Sequence, residues 1–348
     1  MSTTIGFIGG GQMARALASG FVGAGLVKAQ NVCVADVVVA AGIRLSQRLG
    51  YGMAPRFNKD AKFIQIDIAS GELGRNRHID VPIVGDAKRT LEKLRDAIAS
   101  NGDGTTWSTG WVKECIADRM ALVEEINSRD SQRIHPIQIG TDLMRKMPEN
   151  AIFVADGADV YNWMSATVRV RSERSYIDHY PLGSMGVGTP LAIGAAAGAR
   201  ELAERSSGEA RPVVLVTGDG SFGFYPAEFN SAVLAGLKIV CVIANDGAWG
   251  TEKNAQLHSK GITVNCDLGQ CDYHLIGDVF GCRGEKVETK EALLPTLERA
   301  FAADETTIIN VITDPDAGLE RKQDPRLQMV TFDDLRTSLK AYHTTDVA

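Results

Sequence analysis

Gly218-Asp219-Gly220-Ser221-Phe222 and Ala244-Asn245-Asp246-Gly247-Ala248-Trp249-Gly250 decide the fold, with their aspartates 27 positions apart (246 − 219). The run before the first stretch, Pro212 to Thr217 (PVVLVT), is short, apolar and β-branched. It reads as a buried parallel strand that delivers Asp219 to its C-terminal edge. Tyr225 to Gly236 (YPAEFNSAVLAG) reads as a helix, with Pro226 in its first turn and Gly236 as its stop. Leu237 to Ala244 (LKIVCVIA) is then a second buried strand, so Asn245 and Asp246 stand at the end of a strand parallel to the first. Glycines let a backbone turn tightly beside a ligand, and Mg²⁺ takes one or two carboxylates together with phosphate oxygens. The two turns therefore read as a clamp for a diphosphate and its magnesium ion.

Gly-Asp-Gly, a spacer, then Asn-Asp resembles the cofactor motif of the thiamine-diphosphate-dependent enzymes. Pro181-Leu182-Gly183-Ser184-Met185-Gly186-Val187-Gly188, leading into an alanine-rich helix, is similar to that family's Gly-x-Met-Gly segment. The strand and turn Ala151 to Gly157, preceded by a helix beginning at Ile134-His135-Pro136, are similar to the opening of its diphosphate-binding domain. The resemblance covers about Ile134 to Pro315 and points to the acetolactate synthase-like and 2-hydroxyacyl-CoA lyase-like members. It implies thiamine diphosphate and Mg²⁺ as cofactors, with Asp219, Asp246 and the carbonyl of Ala248 on the metal. Many members carry Asn where this chain has Asp246. The implied cofactor-binding residues are Gly183, Ser184, Met185, Gly218, Asp219, Gly220, Ser221, Asp246, Ala248 and Trp249, with Met185 holding the cofactor bent and Trp249 contributing packing more than chemistry. The diphosphate is also expected to touch the turn around Asp159 to Tyr161.

Upstream, Asp36 to Leu45 and Ala61 to Ile68 read as strands and Asp86 to Ser100 as a helix. With Glu72-Leu73-Gly74-Arg75-Asn76-Arg77 and Val84-Gly85-Asp86-Ala87, this block is similar to half of the central domain of the same enzymes, read as structural although relatives bind FAD or a CoA there. Arg75 and Arg77 could face an anionic nucleotide or solvent. The first 35 residues differ: Ile5-Gly6-Phe7-Ile8-Gly9-Gly10-Gly11-Gln12-Met13-Ala14 contains G-x-G-x-x-A, a dinucleotide fingerprint, and resembles the start of pyrroline-5-carboxylate reductase. The fold class expected is α/β with two Rossmann-like parallel-sheet domains, the C-terminal one a thiamine-diphosphate-binding fold. The boundaries expected are 1–35 reductase-like, 36–100 partial central domain, 101–130 linker, 131–318 diphosphate-binding domain and 319–348 tail.

The family's pyrimidine-binding domain, which carries a glutamate that activates the cofactor, has no counterpart in this reading. No catalytic residue is therefore assigned, and activity is expected to need a pyrimidine-domain chain as partner or a homo-oligomer. Two other readings stand beside it: an NADP-dependent reductase, from the fingerprint, and a non-catalytic oligomerising remnant. His179 and His258, near the expected site, read as surface or supporting residues, and Glu228 as structural.

A net charge of −6 without a basic run argues against nucleic-acid binding, and no apolar stretch suits a membrane span. Six cysteines without a C-x-x-C read as reduced thiols of a cytoplasmic protein. The expected ligands are a small-molecule cofactor and substrate.

Overall fold

The computed structural model describes residues 5–9, 37–53, 57–101, 110–180 and 182–324. The chain divides into two compact units, Met1–Arg119 with Gln323–Ala348, and Met120–Lys322. Gly11 and Ala14 of the fingerprint, and the tail beyond residue 324, lie outside the described residues.

The first unit holds a four-stranded parallel sheet in the order β1 (Ile5–Gly9), β2 (Val37–Ala41), β3 (Lys62–Asp67), β4 (Val81–Val84). Its core gathers Val38, Ala40, Leu45, Leu49, Phe57 and Phe63. Arg77 is half-buried and commits its guanidinium to the chain itself. Its guanidinium donates to the carbonyls of Gly52, Asn58, Lys59 and Ala61 and lies 4.1 Å above the Phe63 ring, so it is a tie between loops. Arg75 pairs with Glu72 at the surface.

The second unit is a six-stranded sheet in the order β6 (Tyr176–Asp178), β5 (Ile152–Ala155), β7 (Val213–Gly218), β8 (Ile239–Asn245), β10 (Thr307–Ile312), β9 (Arg283–Val287), parallel throughout. β7 and β8 read as near-continuous apolar runs because helices cover both faces. Leu215, Cys241 and Ile243 are fully buried against Phe222, Phe229 and the alanines of the helix Gly188–Ser206. The order reverses beside β5: the chain leaves β5 for β6 on one side, then returns to lay β7 on the other. At such a switch point the loops at the carboxyl ends of the two strands diverge and leave a crevice, and here they are the turns after β5 and β7.

Two expectations need adjustment. The helix expected from Tyr225 begins at Glu228; Gly223 to Ala227 form turns, and Phe224 is held close to Gly186 and Trp249. The polar span 101–130 contains an 18-residue helix, Gly110–Asn127, anchored by buried Leu122, Val123 and Ile126 on one face.

Candidate cofactor site

Three strand ends build the site. β5 delivers Asp156 and a turn that opens the helix Asp159–Thr167; β7 runs into a single helical turn, Asp219–Phe222; β8 ends at Asn245, and its turn opens the helix Gly250–Lys260. These turns wall a single cleft. Of the residues expected to bind cofactor, Met185, Gly218, Asp219, Gly220, Ser221, Asp246, Ala248 and Trp249 line it, whereas Gly183 and Ser184 do not. Asp159 lines it too, but Tyr161 is buried behind, its hydroxyl donating to Asp178 at 2.9 Å.

Asp219 is 2 % exposed, and its Oδ2 has no hydrogen-bond partner. Burial pushes its carboxyl up to about 6. Asp246 is pushed up to about 8 by burial, then by the charges of Asp219 and Asp159. A buried carboxylate and a half-buried one, the second hindered by the charge of the first, are poised to share a proton or to accept a cation. Asp246 is fixed from its own turn, its Oδ1 accepting from the Ala248 N–H at 3.2 Å. Asn245 is wholly buried; its side chain accepts from the Gly247 N–H at 3.1 Å and donates to the Cys271 carbonyl and to Asn310. It shapes the turn from which Asp246 projects.

The fit to a diphosphate can be judged from the remaining walls. The first residues of two helices, Gly157 to Val160 and Trp249 to Glu252, converge on the cleft, and a helix N-terminus carries partial positive charge and spare N–H groups. Buried hydroxyls of Ser221 and Thr251, both on the cleft, also lack partners. Together these supply donors for an anion beside acceptors for a cation. Among the described residues no three His, Cys, Asp or Glu side chains cluster as metal ligands.

Close approach explains two glycines. A Cβ on Gly220 would lie 2.6 Å from the Trp249 ring, so the indole packs directly on the first turn. A Cβ on Gly250 would lie 2.4 Å from Asp246 Oδ2. Gly250→Ala is expected to displace that carboxylate and weaken Mg²⁺-dependent cofactor binding by roughly tenfold or more, the scale of a lost supporting contact at a metal site, as a Mg²⁺ titration at fixed cofactor would show.

Sequence reasoning missed Asp156 and Arg321. Asp156, 1 % exposed, accepts from the N–H groups of Gly157, Gly186 and Gly188 at 2.6, 3.2 and 2.8 Å. It ties β5 to the segment that carries Met185. His179 lies against it, with Nδ1 3.9 Å from Asp156 Oδ1, and is buried without lining the cleft. His258 is exposed near the end of its helix, and Glu228 is exposed, accepting from Ser231. An acidic residue followed by glycine at a strand end was a usable signal for Asp156; nothing local marks Arg321.

Comparison with known proteins agrees with this geometry. Residues 156–311 match the family model described as thiamine pyrophosphate enzyme, C-terminal TPP binding domain, and residues 16–94 match the central domain of the same enzymes. The second match begins inside the stretch read as reductase-like. The acetolactate synthase large subunit of Mycobacterium tuberculosis is 30 % identical over 292 residues, covering 83 % of this chain and 50 % of that protein. The 2-hydroxyacyl-CoA lyase of Arabidopsis thaliana is 28 % identical over 299 residues, covering 82 % and 50 %. The chain thus spans about half the length of these curated relatives. Among solved structures, the thiamine diphosphate-dependent 4-hydroxybenzoylformate decarboxylase of Rhodococcus jostii superposes with a TM-score of 0.68 at 19 % identity over 90 % of this chain and 62 % of that one, a likeness of fold. With two successive domains of one family matched, and the cleft placed at the carboxyl ends of its strands, the chain belongs to the thiamine pyrophosphate-dependent enzymes.

Proposed function

We propose that the cleft binds thiamine diphosphate with Mg²⁺, the cation being held by Asp219, Asp246 and the Ala248 carbonyl, and that the working enzyme makes or breaks a carbon–carbon bond beside the carbonyl of a 2-oxo acid or a 2-hydroxyacyl-CoA. The observation that carries this reading is the pair of carboxylates, Asp219 buried and Asp246 half-buried, that line one cleft between two helix N-termini. When bound, the cofactor supplies the electron sink for such chemistry. The protein's own residues fix where it sits: the N–H groups and hydroxyls of Ser221 and Thr251 serve the diphosphate, Trp249 seals the turn, and Met185 forms part of the wall. Cys241, Cys266, Cys271 and Cys282 are all unpaired, which supports a reducing, cytoplasmic setting. Among the described residues no helix is long and apolar enough to cross a membrane.

Calorimetric titration of thiamine diphosphate in the presence of Mg²⁺ tests the reading. Saturable binding that chelation of the metal abolishes is expected; a folded chain that binds nothing would refute it. The pH dependence has a definite sign. Asp219 and Asp246 titrate higher folded than unfolded, so between about pH 4 and pH 8 the ligand-free fold holds more protons than the unfolded chain and loses stability as pH rises. A cation needs the deprotonated pair. Binding should therefore release protons and tighten between pH 6 and pH 8, by up to roughly tenfold per pH unit per proton released, as titrations in buffers of different ionisation enthalpy would show.

A further inference from the structure

Asp159 is the first residue of its helix and lines the cleft with Asp219 and Asp246, as do exposed Glu252 and half-buried Asp314, the latter paired with Arg133, so a further carboxylate stands where an anionic diphosphate is proposed to enter. It is not left alone. Its Oδ2 accepts from Trp163 Nε1 at 3.2 Å and its Oδ1 from Arg321 Nη2 at 3.0 Å, in an ion pair whose side chains are 15 % and 7 % exposed. Arg321 lies 162 positions away, on the helix Ala317–Gln323.

That helix is seated closely. A Cβ on Gly318 would fall 2.0 Å from Asn254 Nδ2 and 3.1 Å from Asp159 Oδ1, so its backbone presses against the wall of the site. Glu320, the neighbour of Arg321, pairs with Arg129 and lies 3.7 Å from His135 Nε2. His135 caps the helix Pro136–Lys146 and meets the Trp163 ring edge-on at 4.6 Å. Two adjacent residues thus fasten one helix to the cofactor cleft and to the packing behind it. Polar capacity is also left over there: Asn254, 1 % exposed, has neither amide atom bonded, and Arg321 Nε has no partner.

We infer that Arg321 is the charge-balancing residue of this site: by pairing with Asp159 it cancels the wall carboxylate that stands at a helix start beside Asp219 and Asp246, so that the anionic diphosphate is admitted, and it makes the helix Ala317–Gln323 part of the cofactor-binding unit. Arg321 does not line the cleft, so it acts through Asp159 as a positioning residue. The inference rests on the reading that the cleft takes thiamine diphosphate. Removing the guanidinium alone leaves a carboxylate with only the indole N–H, facing a ligand of like charge. Removing both charges leaves nothing to balance.

The test is calorimetric titration of Mg²⁺ and thiamine diphosphate into wild type, Arg321→Gln, Asp159→Asn and the double variant, with thermal unfolding of each ligand-free protein alongside. Arg321→Gln is expected to bind roughly 10- to 100-fold more weakly, the range for lost supporting partners at metal sites. Asp159→Asn should bind at least as tightly as wild type, and the double variant should recover most of the loss. Unchanged binding by Arg321→Gln, or a double variant no better than Arg321→Gln, would overturn the charge-balancing role. Should Arg321→Gln fail to fold, weakened binding by Asp159→Asn would overturn it independently. Wild type that does not bind would remove the cofactor reading and this inference together, whereas binding wild type with an equally binding Arg321→Gln removes the inference alone.

Discussion

Asp219→Ala is expected to abolish thiamine diphosphate binding while making the ligand-free protein more stable. The two effects have one cause. Asp219 is buried, its Oδ2 makes no hydrogen bond, and its charge raises the titration of Asp246. In the ligand-free fold that arrangement costs free energy, and removing it is expected to return on the order of 1 kcal/mol, the usual gain when a strained functional group is replaced. With the carboxylate gone, the proposed cation site keeps only Asp246 and the Ala248 carbonyl. The affinity loss should exceed the roughly 10- to 100-fold that follows loss of a supporting partner, since here a direct ligand is missing. Thermal unfolding with and without ligand separates the two: wild type at a ligand concentration 100 times its dissociation constant gains about 2.7 kcal/mol, and the variant gains nothing. A variant that still shifts on addition of ligand would place the metal elsewhere, and one less stable than wild type would make Asp219 a structural residue. Asp219→Asn, which keeps the shape and drops the charge, should side with Ala in binding.

The parts of this site that lie on continuous stretches were legible in the sequence. Val213 to Gly218 and Ile239 to Asn245 are apolar runs that end in Gly-Asp-Gly and Asn-Asp, and both form buried parallel strands that bring Asp219 and Asp246 to one cleft. Local composition suffices where a strand is covered on both faces, because no other element accommodates such a run at that length. The helix Gly110–Asn127 escaped notice because the polar glycine-containing stretch before it masks its three buried apolar positions. Gly183 and Ser184 fall outside the cleft walls although Met185, next in sequence, belongs to them; position in a motif does not fix which way a loop presents its side chains. Arg321 was illegible for a stronger reason. An arginine in a charged tail looks like a solvated residue, and only the assembled sheet brings its helix to Asp159 across 162 positions.

Asp156→Ala should produce the largest loss of stability, and with it a disordering of the Met185 segment. Its two oxygens accept three backbone N–H groups, one from the turn after β5, one from the segment between β6 and the helix Gly188–Ser206, and one from that helix's first residue. The methyl of alanine leaves all three donors buried without partners, since Gly186 and Gly188 are themselves buried. Each such orphan costs about 1–3 kcal/mol, and allowing for relaxation the sum should be on the order of 3–5 kcal/mol, in the range reserved for a broken buried network. Urea unfolding should show a fall in midpoint with little change in slope. Asp156→Asn retains one acceptor oxygen, and the NH2 group that replaces the other cannot accept an N–H, so an intermediate loss is expected. The functional consequence follows from the same three bonds. They are ties from β5 to the two glycines flanking Val187, and Met185 precedes the first, so slackening them frees one wall of the cleft while leaving Asp219 and Asp246 in place. Cofactor affinity in Asp156→Asn should accordingly fall less than in Asp219→Ala, and the deficit should reside in faster dissociation. A variant of unchanged stability would mean that the three N–H groups find other partners and that Asp156 does not anchor the segment.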